Sequence, residues 1–315
     1  MWINVLVLIG ALVVLVYSGT WILQSLSCIA RFLRWSEFIV AFIMVAFISS
    51  LPELFVGISS TMHGVPEVSF GNIIGANIIN LTLAVGIAVF LMGGIRIERQ
   101  MVKKDALYTA GIAILPLILI LDGQLSRTDG AILLAIFIFY ITWLFSQKER
   151  FSKVYTNDYQ ALSFRKFLKN IFVFLAGMAL LLVSAELVVG RAVSLAGIVG
   201  IPPVYIGILL IGAGTALPEA YFTIKAALRE KREMILGNLM GAVIITSLLV
   251  LGVVALISPI KIVDFSPYFI ARIFLLLAAA SFFVFIRTGE EITKKEALVL
   301  LGIYIAFVLT ELFVL

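Results

Sequence analysis

The stretches "SSLPELFVG" (residues 49–57) and "TALPEAYFT" (residues 215–223) each place a proline beside a glutamate within a long apolar run. Proline has no N–H and its ring clashes with the carbonyl four residues earlier, so a helix through either stretch loses a hydrogen bond at Ile48 or Gly214. In a hydrocarbon environment, unpaired carbonyls and bare carboxylates are both costly. Because the chain carries this costly combination twice, we expect the freed carbonyls and the carboxylates to have a functional role.

The composition identifies the setting as a membrane. Hydrophobic residues make up 63% of the 315 residues, charged residues make up 13%, and the mean hydropathy is +1.18. These values are typical of an integral membrane protein, in which apolar runs of roughly 17 to 25 residues cross about 30 Å of hydrocarbon as helices. The sequence predicts an all-α fold with ten spans, near 3–30, 38–62, 70–92, 106–121, 130–146, 168–196, 203–227, 235–257, 267–286 and 296–315.

The basic residues predict the orientation. Of the 23 Lys and Arg residues, 18 lie in or beside the loops that follow odd-numbered spans. Because cytoplasmic loops are rich in Lys and Arg, both termini are predicted to lie outside, and residues 147–167 form a cytoplasmic linker of a multi-pass cell-membrane protein. The same residues account for the net charge of +5 through contact with membrane lipids, without a nucleic-acid partner.

The chain contains an internal repeat. An offset of 166 residues aligns residues 17–90 with 183–256 without a gap, so that "SLPE" meets "ALPE" and "GNIIGA" meets "GNLMGA". The two repeats, 1–146 and 168–315, hold five spans each, and an odd number inverts the second relative to the first. Inverted repeats with helices interrupted at matching positions are typical of secondary transporters, whose site lies at the repeat interface near the midplane.

The repeated motif predicts a cation site. The carboxylates of Glu53 and Glu219 would repel each other unless a cation lay between them, and freed carbonyls would add oxygen ligands. The hydroxyls of Ser49 and Thr215 precede each glutamate by four residues and share its helical face. Such hard oxygen donors suit calcium better than magnesium or zinc.

These residues resemble the sodium/calcium exchangers of the calcium/cation antiporter superfamily, whose two repeats carry motifs of the type G-T-S-L-P-E followed by G-N-x-x-G-S. The resemblance covers nearly the whole chain. It implies a secondary active antiporter of prokaryotic type that exports Ca²⁺ in exchange for Na⁺ by alternating access and needs no cofactor. The ion ligands that it implies are Glu53, Ser49, Ser50, Glu219, Thr215, Asn80 on the third span and Thr246 on the eighth.

The chain also departs from the family pattern. Ala76 and Ala242 stand where the family commonly has serine, and Thr246 stands where the second repeat commonly has aspartate. Ser50 meets Ala216 under the offset. These departures remove oxygens that coordinate sodium in the family and one titratable group, so calcium binding is better supported than sodium coupling.

Asparagines on the third and eighth spans have alternative roles. Asn77 lies about 60° from Asn80 around the third helix, so it either points at the same cavity or bridges to a neighbouring helix. Asn72 and Asn238 are expected to cap the third and eighth helices, with a role in the ion path as the alternative. For Glu186, inside the sixth span, a hydrogen bond to a neighbouring span is favoured over a functional role.

Other classes of protein fit the sequence less well. A serine nucleophile would need a histidine base, and the only histidine, His63, lies at a span end; no H-E-x-x-H zinc motif is present. An enzyme is therefore not expected. Coupling to protons or K⁺ instead of Na⁺ is the first alternative, and a passive cation channel ranks below it. The sequence leaves the oligomeric state open, a monomer included.

Overall fold

The computed structural model of the protein describes seven stretches of the chain. They comprise residues 2–32, 46–96, 100–146, 164–230, 232–262, 266–289 and 291–314. The first part of the predicted second span, 38–45, and most of the predicted linker, 147–163, lie outside the described residues.

The described residues form a bundle of long apolar helices, which follows from the predicted spans. In chain order the helices are α1 Trp2–Phe32, α2 Leu51–Met62, α3 Pro66–Met92, α4 Gln100–Leu119, α5 Arg127–Ser146, α6 Phe164–Val199, α7 203–215, α8 Leu217–Ala227, α9 232–257, α10 Ser266–Thr288 and α11 Lys294–Val314. Nine helical stretches within this part of the chain are long and apolar enough to cross a membrane. The predicted all-α class is confirmed, and α2 completes the described part of the second span.

Local irregularities recur at the spacing of the sequence repeat. A helix begins at Leu51 and again at Leu217, so that Pro52 and Pro218 each occupy the first turn, where a missing N–H costs nothing. The third span widens into a π-helical segment at Asn80–Ala84, and the eighth does so at Ile245–Val250. Such π segments are frequent at functional sites.

Two short antiparallel sheets tie the two halves of the chain together. Strand β1 (Ile95–Arg96) pairs with β4 (Glu291–Ile292), and β2 (Gln124–Leu125) pairs with β3 (Ile260–Lys261). Six of the spanning stretches separate β1 from β4 and four separate β2 from β3. An even number of crossings returns the chain to the same side, so both pairings agree with the predicted spans.

The centre of the bundle is formed by α3 and α9, while α1 and α6 pack chiefly against each other. The helices at the centre approach very closely: a Cβ on Gly75 of α3 would overlap the carbonyl oxygen of Ile208 on α7. A Cβ on Gly19 of α1 would lie 3.5 Å from Pro52 and 3.6 Å from Pro218. The middle of α1 therefore covers the point where the two motifs meet.

Candidate cation-binding site

The two motif glutamates lie in equivalent positions at the start of short helices. Glu53 is the third residue of α2 and Glu219 is the third residue of α8, and both side chains are fully buried. Each follows the proline in the first turn of its helix. The N–H groups of this turn have no earlier carbonyls in α2 or α8 to bind, so they favour a nearby negative charge. The sequence therefore places both carboxylates at helix N-termini inside the bundle.

The two carboxylates come from different repeats and lie near each other. Glu53 and Glu219 are close enough for mutual electrostatic repulsion, Glu53 lies beside the Thr215 hydroxyl, and Glu219 lies beside the Ser49 hydroxyl. None of the four carboxylate oxygens has a hydrogen-bond partner within the described part of the chain. Buried carboxylates without partners are strongly unfavourable, so this arrangement calls for a positive charge between them.

The motif hydroxyls are all buried but are bonded differently. Ser49 and Ser50 donate to the carbonyl of Ala46, at 3.3 and 2.9 Å. Thr215 instead donates across the helix interface to Asn72 Oδ1 of α3, at 2.9 Å. A hydroxyl whose proton is engaged in this way keeps its lone pairs for a cation.

Asn72 and Asn238 do not cap their helices. No side chain caps the start of α3, where Val65 precedes Pro66, and Asn72 lies more than one turn inside the helix. Asn238 donates from Nδ2 to Thr223 Oγ1 of α8, at 3.3 Å. The capping prediction was wrong because the "GN" motif lies at the packing interface with α7 and α8, which a single-helix pattern does not reveal.

Asn77 bridges α3 to α9. Its Oδ1 accepts from Thr246 and its Nδ2 donates to Ser247, both at 2.9 Å. This is the bridging alternative, since both polar atoms of Asn77 are engaged. Asn80 differs, because its side chain is buried and neither polar atom has a partner among the described residues. The amide of Asn80 is thus unengaged in the described structure, whereas that of Asn77 is bonded to α9.

Two of the departures from the family pattern lie together. Ala76, Ile79 and Ala216 form a small buried apolar cluster where α3 meets the start of α8. Ser50, the equivalent of Ala216, keeps its hydroxyl in the first repeat. The two ends of the site are therefore chemically unequal, with fewer oxygen donors on the side of Ala216.

The donor set indicates the class of ion. No group of three or more His, Cys, Asp or Glu side chains occurs in the stretches that the structure describes. A site of two carboxylates and several neutral oxygens suits a hard cation such as Ca²⁺, or two monovalent cations, and does not suit a zinc-type centre.

The sixth-span glutamate lies in a separate cluster. Ser59 Oγ of α2 donates to Glu186 Oε2 at 2.6 Å, and His63 Nε2 lies 3.3 Å from Glu186 Oε1. This is the structural hydrogen bond that the sequence favoured, joining α6 to the end of α2. His63 has a partner that the sequence analysis did not foresee.

Sequence reasoning also missed Ser247. Its equivalent under the offset is Leu81, so the repeat gives no signal for it, although an adjacent pair of hydroxyls, "TS" at 246–247, lies in a buried span. The contact of Asn72 with Thr215 was likewise not foreseen, because it joins helices from different halves of the chain.

Comparisons with known proteins identify the family of the chain. The family described as "Sodium/calcium exchanger protein" matches residues 3–146 and 169–313. Sodium/calcium exchanger MaX1 of Methanosarcina acetivorans is 27% identical, over 99% of each chain, and putative antiporter CaxA of Alkalimonas amylolytica is 30% identical, over 81% of each. A solved structure of the sodium–calcium exchanger NCX_Mj, soaked with 10 mM Na⁺ and 10 mM Sr²⁺, is 26% identical and covers 97% of both chains with a TM-score of 0.68. This chain is therefore a multi-pass membrane transport protein, without enzymatic activity or a cofactor, that belongs to the sodium/calcium exchanger family.

Proposed function

We propose that this protein is a secondary active antiporter that exports Ca²⁺ in exchange for Na⁺ by alternating access. The observation that carries the proposal is the pair of buried carboxylates, Glu53 and Glu219, which lie near each other without hydrogen-bond partners in the described part of the chain. One Ca²⁺ or two Na⁺ would neutralise both charges. The ion ligands in this proposal are Glu53, Glu219, Ser49, Ser50, Thr215, Asn80 and Thr246, with Asn77 holding Thr246 in place.

The proposal includes two inverted five-span repeats, 1–146 and 168–315. Strands β1 and β3 follow the third span of each repeat and are equivalent to within one residue. Because β3 pairs with β2, the equivalent strands lie at opposite ends of α4, as inversion requires. The two interrupted spans would then cross the membrane in opposite directions, with their interruptions at Ser50 and Ala216 near the midplane. This arrangement brings both glutamates to one depth.

The proposed orientation has both termini outside and residues 147–167 in the cytoplasm. It rests on the excess of Lys and Arg in the odd-numbered loops. Under this orientation the sheet of β1 and β4 is cytoplasmic and the sheet of β2 and β3 is outside. The end of α2, with His63, also lies outside.

Charge compensation provides the exchange mechanism. An empty site would leave two repelling carboxylates in a low-dielectric interior, so the transition between outward-facing and inward-facing states is favourable only when cations are bound. Release of Ca²⁺ on one side must therefore be followed by binding of monovalent cations before the site can return. This obligatory return distinguishes an antiporter from a channel.

The counter-ion of the proposed exchange depends on the oxygens that surround the two carboxylates. The apolar cluster of Ala76 and Ala216 removes oxygens that the family resemblance assigns to sodium. Two protons, or K⁺, could neutralise the same carboxylates. Na⁺ remains the first choice because of the family to which the chain belongs.

Counterflow of labelled calcium in proteoliposomes tests the proposal. Vesicles that contain the unmodified protein and are loaded with sodium are expected to accumulate labelled calcium as sodium flows out. Glu53→Gln or Glu219→Gln should abolish this flux, because each removes one of the two charges that balance a divalent ion. Potassium and proton gradients are imposed in separate runs to identify the counter-ion.

Glu311→Gln is the matched control. Glu311 on α11 is also a fully buried glutamate whose oxygens have no partner in the described residues, but it lies outside the motifs. It should retain calcium counterflow and thus separates loss of a site charge from loss of any buried charge. Near-normal flux in either motif variant would refute the site, and currents far above transporter turnover would favour a channel.

A further inference from the structure

The two "GN" asparagines make unequal contacts although their positions are equivalent. Asn72 Oδ1 accepts a hydrogen bond from Thr215 of the other half of the chain. Asn238 makes no such bond to Ser49, the equivalent of Thr215, and donates instead to Thr223 of its own half. Its Oδ1 is buried and has no partner in the part of the chain that the structure describes.

The two motif hydroxyls have different hydrogen-bond acceptors. Thr215 donates to Asn72 at 2.9 Å, while the carbonyl of Gly212 lies 3.5 Å from its hydroxyl as a second acceptor. Ser49 donates to Ala46, and Ala46 is the equivalent of Gly212 under the offset of 166 residues. One hydroxyl thus donates across the interface and the other donates within its own helix.

We propose that Asn72 and Asn238 are positioning residues that orient the motif hydroxyls in turn. The inference rests on the proposed alternating access, in which inverted repeats exchange their conformations. In the present state Asn72 engages the Thr215 proton and directs its lone pairs to the cation. In the oppositely facing state, Asn238 Oδ1 accepts from Ser49, and Thr215 returns to the Gly212 carbonyl.

The two states have different stabilising contacts. In the present state Asn238 donates a hydrogen bond to Thr223, which we call its resting partner, and the equivalent of Thr223 in the first repeat is Gly57. A side chain at Gly57 has no room, since a Cβ there would lie 2.7 Å from Val254 Cγ2 and 2.9 Å from Ser69 Oγ. Asn72 therefore has no resting partner of this kind when it releases Thr215. The Asn238–Thr223 bond stabilises the present state alone.

The first test measures the conformational equilibrium in saturating sodium chloride without calcium. Thr223→Val keeps the shape of the side chain and removes the resting bond, so it should shift the equilibrium toward the opposite state by about two- to tenfold. Hydrogen–deuterium exchange of the purified protein reports this at residues 60–64 and 226–230, which are equivalent segments. Exchange should become faster at one segment and slower at the other.

Thr109→Val is the matched control for this test. Thr109 is a fully buried threonine on α4 whose hydroxyl donates only to its own helix, at the Asp105 carbonyl. It should leave both segments unchanged. If Thr223→Val and Thr109→Val have the same effect, or if Thr223→Val changes both segments in the same direction, the positioning role is refuted. Because no calcium is present, this outcome is independent of whether the protein carries calcium.

The second test uses the two faces of the membrane. In vesicles with one known protein orientation, Asn72→Ala should raise the calcium half-saturation on one face by about two- to tenfold, and Asn238→Ala should raise it on the other. A purely structural role would affect both faces alike. Equal increases on both faces, or the same face for both variants, would overturn the inference, whereas failure of calcium transport in the unmodified protein would refute the proposed function instead.

Discussion

Asn77 and Asn80 lie one turn apart on α3 but differ in their hydrogen bonds. The amide of Asn77 engages Thr246 and Ser247 of α9, so it fixes the crossing of α3 and α9. With its proton engaged, the Thr246 hydroxyl can act only as an acceptor toward a cation. Asn80, one turn away, has both polar atoms unengaged in the described structure. Neighbouring asparagines on one helix are therefore bonded differently, Asn77 to α9 and Asn80 to no described residue.

The cluster of Ser59, His63 and Glu186 provides a prediction at the residue scale. Glu186→Gln should lower calcium flux by less than about twofold and the free energy of unfolding by about 1 kcal/mol or less, because polar contacts between partly exposed side chains contribute little to stability. The side chains of His63 and Glu186 are 30% and 53% exposed. Thermal unfolding in detergent and calcium counterflow measure both effects. A loss as complete as that expected for Glu53→Gln would place Glu186 in the ion path.

At the scale of helices, close contacts of backbone fix the frame around the glutamates. Gly75 of α3 lies against the carbonyl of Ile208, and a Cβ on Gly212 would lie 3.0 Å from the Asn72 carbonyl. Small residues allow such approach in membrane bundles, where packing takes the place of the hydrophobic effect. The approach also brings Asn72 within hydrogen-bond distance of Thr215, so helix packing and ligand orientation depend on the same glycines.

Gly75→Ala provides a prediction for this crossing. The added Cβ would displace α7 from α3, which should lower the free energy of unfolding by about 1–3 kcal/mol and weaken calcium binding by separating Thr215 from Asn72. Gly302→Ala on α11 is the control, because a Cβ there has no atom within 4 Å. Thermal unfolding and calcium half-saturation are measured for both. Equal stability of the two variants would contradict the close contact.

At the scale of the whole molecule, the sequence predicts the framework better than the contacts. Hydropathy, the repeat and the two prolines predict the spans and the restarts at Leu51 and Leu217, because each depends on local chemistry. The bonds of Asn72 to Thr215 and of Asn77 to Ser247 join residues 143 and 170 positions apart. Such partners depend on how helices cross, and neither the pattern within one helix nor the repeat specifies that crossing.

The restored-ligand variant tests the effect of the departures on coupling. Thr246→Asp combined with Ala76→Ser and Ala242→Ser adds one carboxylate and two hydroxyls at buried positions. Asn77 can hold the new carboxylate by turning its amide so that Nδ2 donates to it, while Ser247 donates to Oδ1. Sodium-driven calcium counterflow should become stronger and more cooperative with sodium. An unchanged sodium dependence would mean that the departures do not affect coupling.

Voltage reveals the stoichiometry of the whole transport cycle. The two carboxylates of the unmodified protein are balanced equally by one Ca²⁺, two Na⁺ or two protons, so a full cycle should move no net charge. Its equilibrium calcium gradient should therefore not respond to an imposed potential. A third monovalent ion would move one charge, worth about 2.3 kcal/mol per 100 mV, which corresponds to roughly a 50-fold change in the calcium gradient.

Calcium counterflow at potentials set by potassium and valinomycin measures the voltage dependence. The variant with the added carboxylate should become voltage-sensitive because it can bind a third monovalent cation. Steep sodium dependence with clear voltage sensitivity in the unmodified protein, unchanged in that variant, would show that a third sodium ion binds without the family aspartate.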